Sequence, residues 1–161
     1  MTDDNTPAST PATEQRFSLE KIYLKDASLE SPNVPALFTS KWEPEINLQL
    51  SSESKLVDPD VFETILTITV TAKLGEKTAY LVELKQAGVF VMRGFQEAEI
   101  TSLLNTYCPS TLFPYAREAV HNLIEKGGFP PLYLAPVNFD AMWAQQQHDR
   151  AQAAPGGSVA H

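Results

Sequence analysis

The chain has 161 residues, 43% of them hydrophobic and 20% charged, which is enough for one domain with a single core and too little for two large ones. Its 12 basic against 20 acidic residues give a formal charge of -8, and no Lys/Arg-rich run is interleaved with aromatics; that excludes a nucleic-acid binder and favours basic partners. A lone cysteine forms no internal disulfide, no apolar run reaches the roughly 18 residues that span a bilayer, and the opening MTDDNTPASTPATEQ has neither the basic end nor the apolar stretch of a signal peptide, so a cytoplasmic protein without direct membrane insertion is expected.

Residues 1–15 and 148–161 are poor in large apolar groups and are expected to be disordered tails around an ordered domain at 16–147. In RFSLEKIYLKDASLESP the pair Phe17 and Leu19 is followed by Ile22 and Leu24, so the alternation shifts between the pairs and predicts a strand with a bulge. After the loop SPNVPALFTS, the run EINLQLSS sets Ile46, Leu48 and Leu50 against Asn47 and Gln49, a short half-buried strand. VFETILTITVTAKL is a long strand with Phe62, Leu66, Ile68, Val70, Ala72 and Leu74 inward and Glu63, Thr67, Thr69, Thr71 and Lys73 outward. Gly75 in LGEKT suits a tight hairpin turn, and TAYLVELKQAGVFVM returns with Tyr80, Val82 and Leu84 on one face and Leu81 with Glu83 on the other.

From residue 96 the period becomes helical: Ile100, Leu103, Leu104 and Tyr107 share a side, with Glu97 and Glu99 in the first turn where the helix dipole favours acids. CPSTLF reads as a break, Pro114 as the start of a second helix closed by Gly127 and Gly128, and Asp140 as the cap of a last short helix, DAMWAQQQ. Four strands followed by helices give an α+β fold on an antiparallel sheet.

Catalytic constellations are sparse. Cys108 has no His or acid beside it in sequence and reads as a small buried hydrophobe. His121, His148 and His161 lack metal-ligand spacing, so no metal or other cofactor is expected. Glu97 with Glu99 and Glu43 with Glu45 fit a helix start and a strand start better than acid/base pairs. What stands out is aromatic and apolar material in proline-rich segments: Phe38 and Trp42, Phe113 and Tyr115, Phe129, Tyr133 and Phe139, then Met142 and Trp143. Together they suggest a groove, because rings give large contact area with few rotors to freeze and Met adapts to different shapes. Asp26 and Glu30 in the first strand and Leu81 with Glu83 in the fourth would form an acidic patch with an apolar anchor if those strands share a sheet face.

At KIYLKDASLESPNVP, KWEPEINLQL, VTAKLGEKTAYLVEL, YCPSTLFPYARE and FPPLYLAPVNFDAMW the chain resembles the SecB family of bacterial export chaperones, over residues 16 to about 147. The resemblance implies a four-stranded sheet with the C-terminal helices on one face, and a homotetramer built as a dimer of dimers. It also implies an activity: holding unfolded precursor proteins in the cytoplasm and passing them to the SecA ATPase motor, without nucleotide of its own and without catalysis. Trp42, Tyr115 and Trp143 match aromatic positions of the family's peptide groove, Trp143 standing where a Phe is common, and Leu48 and Leu50 match the apolar strand positions beside it. Asp26, Glu30, Leu81 and Glu83 match the motor-binding surface residue by residue. The usual Gln-Gly-Gly-Ile-Phe stretch is here Gln86, Ala87, Gly88, Val89 and Phe90, and the final tail is nearly neutral where relatives carry more acid. A carrier of small apolar ligands and an antitoxin-linked chaperone of the same fold are the alternatives.

Overall fold

The alternation in VFETILTITVTAKL puts Leu66, Ile68, Val70 and Ala72 on one face of a strand, and in the computed structural model of the chain all four are fully buried. The structure describes residues 14–154. Four antiparallel strands, β1 (Arg16–Glu30), β2 (Glu45–Asp58), β3 (Val61–Leu74) and β4 (Lys77–Arg93), form one sheet in the order β1-β4-β3-β2. Gly75, at φ +61°, makes the β3–β4 turn. Three helices follow: α1 (Glu97–Asn105), α2 (Tyr107–Lys126) and α3 (Phe139–Ala153). The core lies between α2 and the inner face of the sheet, where Tyr80, Phe90, Leu112, Val120 and Ile124 are almost wholly out of solvent.

The predicted bulge in β1 is present, and it has a second below it. The register shifts once between Leu19 and Lys21 and again between Leu24 and Asp26. Each shift moves the inward parity by one residue, so Phe17 and Leu19, then Ile22 and Leu24, then Ala27 and Leu29 share the side of β4's buried residues.

Four boundaries differ from the sequence reading. β2 runs to Asp58, because its polar half SSESK keeps pairing with β3 although little covers it. The helical break falls at Thr106 (φ -122°, ψ -74°), and α2 already includes Cys108 and Pro109. Pro109 is tolerated there because the first-turn N–H groups of a helix have no internal acceptor, and Pro114, read as a helix start, lies inside α2. The cap of α3 is Asn138, whose Oδ1 accepts from the Ala141 N–H at 2.9 Å, with Asp140 in the first turn instead. α3 also continues through His148 to Ala153, six residues into the segment read as tail. Residues 1–13 and 155–161, the rest of both expected tails together with His161, lie outside the described residues.

Candidate functional site

Among the described residues strand β2 is paired on one side only, and the helices leave most of its inner face open. Ile46, Leu48 and Leu50 stand opposite the buried Ala72, Val70 and Ile68, yet Ile46 and Leu48 are exposed and Leu50 is only half-buried. The result is an apolar stripe of roughly 14 Å along an open strand, at about 3.4 Å per residue.

Aromatic clusters close both ends. At the Ile46 end, α2 terminates at Gly127 and Gly128, whose N–H groups return to the Leu123 and Glu125 carbonyls. The left-handed φ of +85° at Gly128 turns Phe129 back onto the sheet. Phe129 then packs on Tyr80 at 5.0 Å between ring centres, on Trp42 at 5.6 Å and on Phe38 at 5.3 Å, while Trp42 stacks on Tyr80. At the Leu50 end a hollow of about 170 Å³ is lined by Leu50, Ser52, Asn105, Phe139, Met142 and Trp143. The far side of Trp143 lines a wider depression with Gln96, Glu97 and Thr101, and the Arg150 guanidinium lies 5.9 Å from the Trp143 ring centre.

The predicted groove residues therefore divide. Phe38 and Trp42 form one end, Met142 and Trp143 the other, and Leu48 and Leu50 the floor between them. Phe113 and Phe139 are buried, with ring centres 6.0 Å apart; Phe139 forms the base of the hollow at the second end, and Phe113 supports it from beneath. Tyr115 is half-exposed on α2 and belongs to neither cluster. Ile46 and Phe129 complete the channel; the alternation of EINLQL already marked Ile46, whereas Phe129 needed the turn at Gly128 to be located.

The outer face of the sheet carries the second feature. β1 and β4 are hydrogen-bonded neighbours; Asp26 stands opposite Lys85, Ser28 opposite Glu83 and Glu30 opposite Leu81. Asp26, Glu30 and Glu83 are exposed and Leu81 is half-buried. Thr67, Thr69 and Thr71 of β3 extend the same rows. Lys85 had not been marked by the sequence, and it places a cation beside Asp26. The acidic face and the apolar channel lie on opposite sides of the sheet, with β4 contributing to the first through Leu81 and Glu83 and underlying the second through Tyr80.

Farther along the outer face, Glu63 is buried although its position in β3 reads as solvent-facing. The Tyr23 hydroxyl donates to its carboxylate, Lys25 Nζ donates to both oxygens at 2.9 and 3.0 Å, and Lys55 Nζ lies 3.5 Å away. Burial alone would raise the Glu63 pKa, but these hydrogen bonds and lysine charges outweigh it and hold the carboxyl below its ordinary 4.5. Burial, then the hydrogen bond and charge of Glu63, push Tyr23 up to about 12. The signs fix two windows. Glu63 contributes stability above the unfolded carboxyl value that is lost as pH falls through its lowered folded value; Tyr23 contributes stability below pH 10 that is lost as pH rises towards 12. In urea melts at stepped pH, Glu63→Gln is expected to flatten the acid-side loss, and an unchanged acid limb would contradict the network's role.

Cys108 is fully buried, and burial pushes its thiol up to about 12 against a lowering hydrogen bond with Thr64. It is protonated at neutral pH and unreactive, a packing residue on the buried face of the first turn of α2.

A sheet whose β2 edge is open and lined by an apolar channel between aromatic ends has the build of a chaperone, a protein that holds extended polypeptide. The family model described as "Preprotein translocase subunit SecB" matches residues 10–150. The chain is 51% identical to "Protein-export protein SecB" of Nitrosococcus oceani over the full length of both. It is 54% identical to the protein of that name from Methylococcus capsulatus, over 88% of this chain and 92% of the relative. Among solved structures it superposes on a Mycobacterium tuberculosis SecB-like chaperone in complex with a ChAD peptide from the HigA1 antitoxin, with TM-score 0.64 and 19% identity over 76% of this chain and 91% of that one, a likeness of fold. The chain belongs to the SecB family of protein-export chaperones. Among the described residues no helix is long and apolar enough to cross a membrane.

Proposed function

We propose that residues 16–147 hold unfolded precursor proteins in an export-competent state in the bacterial cytoplasm and deliver them to the SecA motor, acting as a homotetramer, a dimer of dimers, without nucleotide or catalysis of their own. The observation that carries the reading is the open stripe of Ile46, Leu48 and Leu50 between the Phe38–Trp42 and Met142–Trp143 ends. An extended segment fits a strand-lined channel: alternate side chains meet the apolar stripe, and the uncovered β2 edge offers main-chain partners. Ordering a flexible client costs about 2 to 5 kcal/mol, so one channel binds weakly. Several channels on one oligomer raise the effective concentration of the next segment and make up the difference.

Hand-over uses the other side of the sheet. Asp26, Glu30 and Glu83 around Leu81 suit a basic segment with an apolar residue, and such rim charges set association rate and salt dependence. A carrier of small apolar molecules is disfavoured by the same channel, which opens along a strand instead of enclosing a ligand.

The test compares the two faces. Trp42→Ala and Trp143→Ala are each expected to weaken holding of an unfolded reporter by at least about 1 kcal/mol, the cost typical of a truncated aromatic anchor, with SecA affinity intact. Glu83→Lys is expected to lower SecA affinity about tenfold, or 1.4 kcal/mol, and leave holding intact. Equal loss of both activities in all three variants would overturn the division.

A further inference from the structure

Among the described residues, setting aside the Tyr80 ring and the Cys108 thiol, the buried polar or charged side chains are Glu63, Thr64 and Gln86. Thr64 is accounted for by its hydroxyl contact with Ser54 at 2.8 Å. The other two converge on one place, the second bulge of β1, from opposite faces of the sheet. There Leu24 pairs with Gln86 and Asp26 with Lys85, which leaves Lys25 as the extra residue. On the outer face Lys25 Nζ is held by both Glu63 oxygens, and Tyr23, just before the bulge, donates to the same carboxylate. On the inner face Gln86 Nε2 donates to the Tyr23 carbonyl at 3.0 Å. Glu63 belongs to β3, so its bonds to β1 reach across the whole width of β4. Ala87, opposite both Tyr23 and Ile65, is the small residue beneath that span.

The bulge decides which side chains face the motor. Above it the even residues Ile22 and Leu24 point inward; below it the odd residues Ala27 and Leu29 do, and Asp26 and Glu30 point outward. Without the extra residue the parity of Ile22 and Leu24 would continue, turning Asp26 and Glu30 towards the core and Ala27 and Leu29 to solvent. β1 is at the sheet edge, where nothing among the described residues fixes its register from the other side.

We propose that Glu63 and Gln86 are positioning residues for hand-over: by clamping the bulge at Lys25 from the two faces of the sheet, they set the register that presents Asp26 and Glu30 beside Leu81 and Glu83. The role of those four residues rests on the SecA-docking reading above; the clamp itself does not. Glu63 also lies 3.5 Å from Lys55 of β2, but its hydrogen bonds go to β1, where the Gln86 amide meets the same irregular stretch from the other face, and a register held by two polar contacts is specified more narrowly than apolar packing alone achieves.

The test reads register directly, using the full-length protein. Cys108 is fully buried, so a single engineered thiol reports with little background. Ser28→Cys, on the outer face, is expected to react quickly with a water-soluble maleimide, and Ala27→Cys, on the inner face, at least about tenfold more slowly. Adding Glu63→Gln and Gln86→Leu together is expected to shrink that contrast, to lower SecA affinity by roughly tenfold and to leave holding of the unfolded reporter unchanged. The charge-swapped pair Lys25→Glu with Glu63→Lys is expected to restore the contrast in part. In a background already carrying Asp26→Asn and Glu30→Gln, the clamp changes should cost no further SecA affinity, because what they position is gone; a loss from general destabilisation would add. An unchanged labelling contrast in the Glu63→Gln, Gln86→Leu protein overturns the proposal. A collapsed contrast with unaltered SecA affinity supports the clamp and overturns the docking reading instead. Should the double replacement fail to fold, Tyr23→Phe and Glu63→Gln singly carry the same labelling comparison.

Discussion

Leu112→Ala is expected to cost about 4 to 5 kcal/mol, the upper part of the range of roughly 2 to 5 kcal/mol for a leucine truncation. Leu112 is fully buried in α2, facing β4, in a cluster that includes Phe90, Met92 and Cys108. Loss of its side chain leaves a hole between a long helix and a hydrogen-bonded sheet, neither of which can collapse into it freely. For a chain of this length each kcal/mol lowers the melting midpoint by roughly 2 to 4 °C, so thermal and urea unfolding at fixed protein concentration give two readings of the same loss. A midpoint within experimental error of the parent would mean that α2 does not seat on β4 as described.

The second large effect comes from filling space in the same place. A Cβ on Gly88 would sit 2.9 Å from Leu112 Cδ2, 2.9 Å from Phe90 Cε2 and 3.3 Å from the Lys21 carbonyl oxygen. The first two neighbours are core side chains and the third is backbone of β1, so valine there has to push α2 off the sheet or distort the first bulge. Gly88→Val is expected to destabilise by about 1 to 3 kcal/mol, the usual cost of overpacking, and to do so without touching the channel or the acidic face. The two sites are coupled: in a Leu112→Ala background Gly88→Ala should be better tolerated than in the parent, because one of the two side-chain atoms it would meet at 2.9 Å is gone. Strict additivity of the two losses in a double-mutant cycle would count against the contact.

What the sequence made legible follows the range of the forces involved. β3 could be read because every second residue from Leu66 to Ala72 meets one continuous core, and the bulge in β1 because Phe17, Leu19 and Ile22 break step within a few residues. The break at Thr106 was misplaced because Pro109 is an ambiguous sign, unfavourable inside a helix and harmless in its first turn. Glu63 was misread for a longer-range reason. Nothing near it in β3 signals burial; the groups that bury it, Tyr23 and Lys25, arrive from a strand two positions away in the sheet and some forty residues earlier in the chain. The aromatic groove was legible as a composition and illegible as a shape. Phe38, Trp42, Phe113 and Phe139 have similar surroundings in sequence, and only the closure of α2 at Gly128 and the seating of α3 decide which rings line a channel and which lie beneath it.

Strand order also carries a consequence for biosynthesis. β1 leaves the ribosome before the other strands, yet among the described residues its only strand partner is β4, with Arg16 joined to Arg93 and Glu30 to Leu81. Closing loops of about fifty to eighty residues costs on the order of 3 to 4 kcal/mol in chain entropy, whereas β2, β3 and β4 can zip up as successive hairpins without that delay. The outer row of Asp26, Glu30, Leu81 and Glu83 is divided between the earliest strand and the latest, so it comes into being only at that closure. A nascent copy still missing its second half therefore lacks this row altogether, so by topology alone the outer surface marks a sheet whose four strands are all in place.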